Sequence, residues 1–197
     1  MRFFRENSRL VSRLFVNQVG MTIFGLILTM AVMRASENNV TLTVAVSVFS
    51  IIFYLCLVYN VMWEEGARNI IRINAGHRER ISAYPVKVAL LASVPNLVLA
   101  VFLFASYFLG YPAGVEIFRT FYGVLHIILG SFEAMFVGLF SVILENFPDL
   151  SVRYLMACVL YLLSSLPMIL TSALAYRLGK RNVYLFGKRS PKQGSGD

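Results

Sequence analysis

Charge is scarce in this sequence. Only 14% of its 197 residues are Asp, Glu, Lys or Arg, whereas a water-soluble domain carries about a quarter. There is too little polar material to cover a soluble core, which excludes an ordinary globular domain. Cysteine is nearly absent. Cys56 and Cys158 both lie inside apolar runs, without C-x-x-C spacing and without a histidine close in sequence, so they read as small helix residues rather than a disulfide or metal pair. Motifs of enzyme chemistry are missing as well. No G-x-S-x-G, no H-x-E with C-x-x-C and no Walker-type glycine loop occurs. Glu64 and Glu65 are adjacent, hence splayed by about 100° on a helix and poorly placed for joint acid–base work. His126 and Glu133 do not form H-E-x-x-H and have no evident third ligand, which argues against a metal centre. The chain is therefore expected to be non-enzymatic, with no cofactor and no metal.

What the sequence does have is apolar length. Runs over about 14–33, 41–62, 86–109, 121–144 and 154–176 are each close to the twenty residues that a membrane-crossing helix needs. They predict an all-α, polytopic integral membrane helix bundle with four to five transmembrane helices. Residues 1–176 form its single domain, 63–85 a polar loop, and 177–197 a basic tail with a disordered end. Run 14–33 is too long for a signal-peptide core and no small-x-small site closes it, so it is expected to stay as an anchor. Phe3, Phe4, Leu10 and Val11 interleaved with four arginines suggest a short interfacial helix ahead of it.

The cations then test the topology. Fifteen of the 18 Lys and Arg residues precede the first run, lie between Arg68 and Lys87, or follow Tyr176. Cations flanking spans belong on the cytoplasmic side, and this placement argues against nucleic acid as the reason for a net charge of +8. The linkers around Arg34/Glu37, Glu116/Arg119 and Glu145/Asp149/Arg153 hold three cations and four acids and look external. Three apolar runs separate Lys87 from Arg177, however, and an odd number of crossings would put the tail outside. Two readings stay open. Either all five runs cross and the tail breaks the rule, or run 121–144 is re-entrant, with Gly130-Ser131 as its bend and the other helices sheltering it.

Local punctuation fits helices. Glu64–Arg68 and Glu65–Arg68 spacing extends the second helix past Trp63. Asn74-Ala75-Gly76 reads as its stop, Ser82-Ala83-Tyr84-Pro85 as the next start, and Gly110-Tyr111-Pro112-Ala113-Gly114 as a turn. Asn39-Val40-Thr41 matches a glycosylation sequon but lies close against a span.

Intramembrane polar residues carry the functional expectations. Glu133 stands near the centre of the fourth run, where an ionisable group costs a few kcal/mol unless it is paired, neutral or wet. His126 is two helical turns earlier and would share its face. With Asn96, which follows Pro95, these are candidates for a proton relay or a polar-substrate site. The plainer alternative is a protonated Glu133 bonded to a neighbouring helix. Gly130, Ala134 and Gly138, spaced every four residues, predict close helix packing. Pro95-Asn96 and Ser164-Ser165-x-Pro167 are helix breaks, either simple kinks or pocket-forming ones. In the polar loop, Glu64, Glu65, Arg68, Arg72, Arg78 and Arg80 are candidates for docking a partner or a lipid headgroup, against a solvated helix held by its own ion pairs.

The run Trp63-Glu64-Glu65-Gly66-Ala67-Arg68-Asn69, then Asn74-x-Gly76, a span containing Pro95-Asn96, and the closing Tyr176-Arg177-Leu178-Gly179-Lys180 resemble small multi-pass membrane proteins of Gram-positive bacteria. The resemblance covers the middle and end of the chain. It implies a bacterial plasma membrane and a cytoplasmic basic tail, and it brings no activity with it. The leading expectation is an accessory or assembly subunit with a cytoplasmic N-terminus, packing through Gly130, Ala134 and Gly138 and presenting its loop to a partner. That partner would be another membrane or cytoplasmic protein, or a second copy, besides the lipid bilayer itself; no nucleic acid is expected. The rival is a small-solute or proton-coupled permease built on Glu133, His126 and Asn96.

Overall fold

A computed structural model describes residues 2–35, 39–77, 81 and 83–183. Arg78, Arg80 and Ser82, the turn residues 36–38 and the tail from 184 onward lie outside the described residues. The chain folds as α1 (Arg2–Ala35), α2 (Val40–Asn74), α3 (Tyr84–Gly110), α4 (Glu116–Phe132), a 3-10 turn (Ala134–Phe136), α5 (Val137–Glu145), α6 (Leu150–Leu163) and α7 (Ser165–Lys180). No strand occurs among the described residues. Four stretches are long and apolar enough to cross a membrane: 7–32, 40–74, 84–110 and 150–180, the last comprising α6 and α7. The pair α4 and α5 would make a fifth, but it is bent by 82° at Glu133.

The first helix differs from expectation. Instead of an interfacial helix followed by a span, α1 is one helix of 34 residues. Nothing between Arg13 and Leu14 breaks it, since both residues and their neighbours tolerate helix. At 1.5 Å per residue it is about 51 Å long, well beyond the roughly 30 Å hydrocarbon core, so its arginine-rich turns project past the apolar zone. The second helix does the same at its other end, running on to Asn74. Its stop is a Schellman arrangement: Gly76 takes φ +73°, its N–H donates to Ile73, and the His77 N–H donates to Arg72, which satisfies carbonyls that the helix end would leave open. Asn39, the sequon residue, is the N-cap of α2, its side chain accepting from the Leu42 N–H at 3.3 Å.

Contacts fix which helix ends lie together. At one end, the Tyr84 hydroxyl that opens α3 lies 2.8 Å from Asn7 and 3.3 Å from Glu65, its single proton shared between the two acceptors. Arg13 pairs with Glu64 at 3.1 Å, and Tyr176 of α7 meets Asn69 of α2. This is the basic end, carrying Arg5, Arg9, Arg13, Arg68, Arg72, Lys87, Arg177, Lys180 and Arg181. At the other end, the Tyr107 hydroxyl near the close of α3 donates to the Ser151 carbonyl in the first turn of α6 at 3.1 Å. Arg119, in the first turn of α4, donates to the Gly110 carbonyl at 2.8 Å. The close of α5 is joined to α6 by only 146–149.

The bent pair therefore starts and finishes at the end opposite the basic one. Its 17-residue first limb descends beside α3 for about 25 Å, and its second limb returns against α2 and α6. The elbow falls at Glu133, three residues beyond the expected Gly130-Ser131 bend. With four stretches running end to end and the hairpin doubling back, the first described residues and the end of α7 come together at the basic end.

Large apolar side chains cover the outside at mid-height, among them Ile27, Ile52, Val101, Ile127 and Leu170, all more than half exposed. Such an apolar girdle suits lipid contact.

Candidate functional site: the elbow at Glu133

The α4 hydrogen-bond ladder ends at Glu133, whose N–H still donates to Leu129 at 2.7 Å while its own carbonyl accepts from Phe136 in a tighter 3-10 turn at 2.8 Å. Neighbouring helices hold the break. The Thr22 hydroxyl of α1 donates to the Phe132 carbonyl at 2.7 Å, which supplies a partner to backbone that the broken helix frees. Gly25, also on α1, faces the turn so closely that a Cβ there would stand 3.0 Å from the Met135 nitrogen. On the far side of the turn, the Gly138 N–H donates to the Ser47 hydroxyl of α2 at 2.9 Å.

The Glu133 side chain is 2% exposed. Its Oε1 accepts from the Asn96 side-chain amide and from the Ser164 hydroxyl at 3.0 Å. One donor follows a proline within a continuous helix, and the other stands at a helix interruption. Asn96 follows Pro95 inside α3, and Ser164 is the joint between α6 and α7. The Ser164 hydroxyl also lies 2.7 Å from the Tyr161 carbonyl, and its single proton serves one acceptor at a time. Glu133 Oε2 has no hydrogen-bond partner among the described residues. Tyr54 of α2 and Tyr161 of α6 lie within electrostatic reach of the carboxyl group. A buried carboxylate with one oxygen doubly donated to and the other unmatched is suited to take a proton or a small cation on the unmatched oxygen.

Glu133 and Asn96, expected to act together, do meet. His126 does not reach them directly. It faces the rings of Tyr122 and Tyr161, with centroids at 5.8 and 5.6 Å. Because α4 stops before Glu133, the continuous helix that would align the two residues on one face is broken. Tyr161 lies between them, edge-on to His126 and within reach of Glu133. Further toward the end opposite the basic one, Tyr122 packs on Tyr154 and Tyr111, with centroids at 5.3 and 5.6 Å. A column of phenol and imidazole groups thus leads from that end to the elbow. Sequence reasoning missed Tyr54, Tyr161 and Thr22. Tyr161 stands three residues before Ser164, a one-face helical spacing that offered a signal once Ser164 was singled out; Tyr54 and Thr22 offered none.

The remaining candidates sit elsewhere. Gly130, Ala134 and Gly138 do not form one helical stripe, because the elbow separates the first from the others. All three face inward: Gly130 toward the Tyr161 hydroxyl, Gly138 against the Thr43 carbonyl of α2, and Ala134, 1% exposed, on the α1 side. Of the polar-loop residues, Glu64 binds Arg13 at 3.1 Å and Arg68 at 2.6 Å, Glu65 accepts from the Tyr84 hydroxyl at 3.3 Å, and Arg72 is exposed. The described residues contain no group of three or more His, Cys, Asp or Glu able to hold a metal ion.

No family model matches the chain, and neither a curated protein nor a solved structure matches it.

Proposed function

We propose that this chain is a multi-pass membrane protein of the permease type, with Glu133 at the tip of a re-entrant hairpin as its proton- or cation-binding group. The observation that supports this reading is the half-matched carboxyl: fully buried, held by Asn96 and Ser164 through Oε1, and open at Oε2. Two helix interruptions, the end of α4 and the joint between α6 and α7, meet there beside the proline-containing middle of α3, and interrupted helices at membrane depth are where transporters place substrate and coupling-ion sites. Tyr161, His126 and Tyr122, in ring contact with one another, line the way from one end of the bundle toward the site. The membrane is proposed to be a bacterial plasma membrane, with the basic end cytoplasmic, following the charge rule.

The test is an imposed pH gradient across vesicles reconstituted with the purified chain, read with an enclosed pH-sensitive dye. Wild type is expected to dissipate the gradient, and Glu133→Gln to hold it as long as protein-free vesicles do. The proposal fails if wild-type vesicles are as tight as empty ones in sodium, potassium and choline media alike.

A second reading keeps the chain as an accessory subunit. It is favoured by the extension of α2 beyond Trp63, which projects Arg68, Ile71 and Arg72 as exposed side chains. A scaffold keeps its partner when Glu133 becomes Gln, so co-purification from the native membrane separates the two readings.

A further inference from the structure

At the basic end, the last turns of α2 and α7 enclose a pocket of about 420 Å³ lined by Ile70, Arg177, Lys180 and Arg181. The three cations are spaced i, i+3 and i+4, so they share one face at the end of α7. Cations there complement the helix dipole, but that role neither needs three nor explains their placement around one concavity. Among the described residues none of the three forms a salt bridge. The nearby acids are committed elsewhere, Glu64 to Arg13 and Arg68 and Glu65 to Tyr84. Lys180 is further positioned by the Tyr176 ring, its ammonium 5.2 Å from the centroid, a cation–π contact that orients the amine without neutralising it.

Depth adds to the argument. Trp63, which donates to the Val183 carbonyl at 2.8 Å and packs against Gly179 next to Lys180, is only partly buried, and such an amphipathic ring marks the headgroup level of a bilayer. A concavity with two guanidinium groups, one ammonium and an apolar wall from Ile70 matches a phosphate ester: the planar forks bind phosphate oxygens in pairs, and isoleucine covers an attached hydrocarbon. We propose that this pocket binds the phosphate of an anionic ligand, either an anionic phospholipid headgroup or a free phosphate. This site is independent of the Glu133 elbow.

The experiment is native mass spectrometry of the full chain in detergent, titrated with phosphatidylglycerol, with zwitterionic phosphatidylcholine and, separately, with inorganic phosphate as competitor. The pocket variant carries Arg177→Gln, Lys180→Gln and Arg181→Gln. A charge-matched control carries Arg5→Gln, Arg9→Gln and Lys87→Gln, exposed cations of the same end outside the pocket. Wild type is expected to prefer phosphatidylglycerol. The pocket variant should lose that affinity on the order of a hundredfold, from roughly fivefold per cation, while the control binds like wild type. Competition by inorganic phosphate assigns the site to phosphate itself; phosphatidylglycerol binding that resists it assigns the site to lipid. Equal losses in the two variants, an undiminished pocket variant, or binding of neither phosphatidylglycerol in preference to phosphatidylcholine nor inorganic phosphate overturns the proposal.

Discussion

The seam between α2 and α7 and the elbow at Glu133 are both places where backbone approaches backbone, and they differ in how completely their groups are matched. Along the seam, Gly66 lies against the Tyr176 carbonyl and Gly179 against the Trp63 carbonyl, so closely that neither position has room for a Cβ. The Asn69 amide donates to the Tyr176 hydroxyl, and no polar side-chain atom of these five residues lacks a partner. At the elbow the steric fit is also close, through Gly25 and Gly138, yet a carboxyl oxygen is left without a partner. A complete match is what a structural joint needs. Unmatched buried atoms also occur at Gln18, Ser50 and Ser172; Glu133 differs from these in being ionisable, so its burial is the costliest of the four, and that cost motivates the binding role proposed for it.

The contrast implies opposite mutational signatures. The largest stability loss is expected at the seam: Gly179→Ala pushes a methyl group into the Trp63 carbonyl, and overpacking against backbone costs about 3 kcal/mol, the upper part of the usual range, measured as reduced thermal stability in detergent. The elbow should behave in reverse. Glu133→Gln keeps the carbonyl oxygen that Asn96 and Ser164 bond to, so stability changes by less than about 1 kcal/mol while gradient dissipation disappears. If Glu133→Gln instead destabilises as much as Gly179→Ala, the elbow is a structural joint like the seam. The smallest effect is expected outside both: Arg68→Gln breaks an exposed ion pair with Glu64 and costs no more than about 0.5 kcal/mol. A larger loss there would extend the seam to the surface of α2.

The same two regions show what was legible in the sequence. Apolar length and the positions of Arg68, Lys87 and Arg177 read out the helical bundle and the grouping of basic segments, because hydrophobic length and flanking charge are local properties. Gly66, Asn69 and Gly179 lie in stretches that are prominent in the sequence, Trp63–Asn69 and Tyr176–Lys180, but their role is not visible there. Each glycine is needed because of a carbonyl more than a hundred residues away, and no window of sequence contains both partners. Loop residues expected to face a partner, such as Glu64 and Glu65, are engaged with the chain's own α1 and α3 for the same reason. At the elbow, Glu133 and Asn96 were legible because a buried charge and a proline break stand out against apolar neighbours. The sequence suggests a bend at Gly130-Ser131, near the middle of the run. It falls instead at Glu133, where donors from Asn96 and Ser164 and the Thr22 hydroxyl at Phe132 hold an interrupted helix. Tertiary partners, not local propensity, chose the residue.

The proposed site requires a hairpin that enters and leaves by one face with Glu133 at its tip. Single cysteines at Glu116, Asn146 and His77, placed in a Cys56→Ser, Cys158→Ala background, test it with a membrane-impermeant thiol reagent applied to sealed cells and to inverted vesicles. Glu116 and Asn146 are predicted to react from the same side, and His77 only from the other. Labelling of Asn146 from the side that labels His77 would mean five crossings and contradict the hairpin.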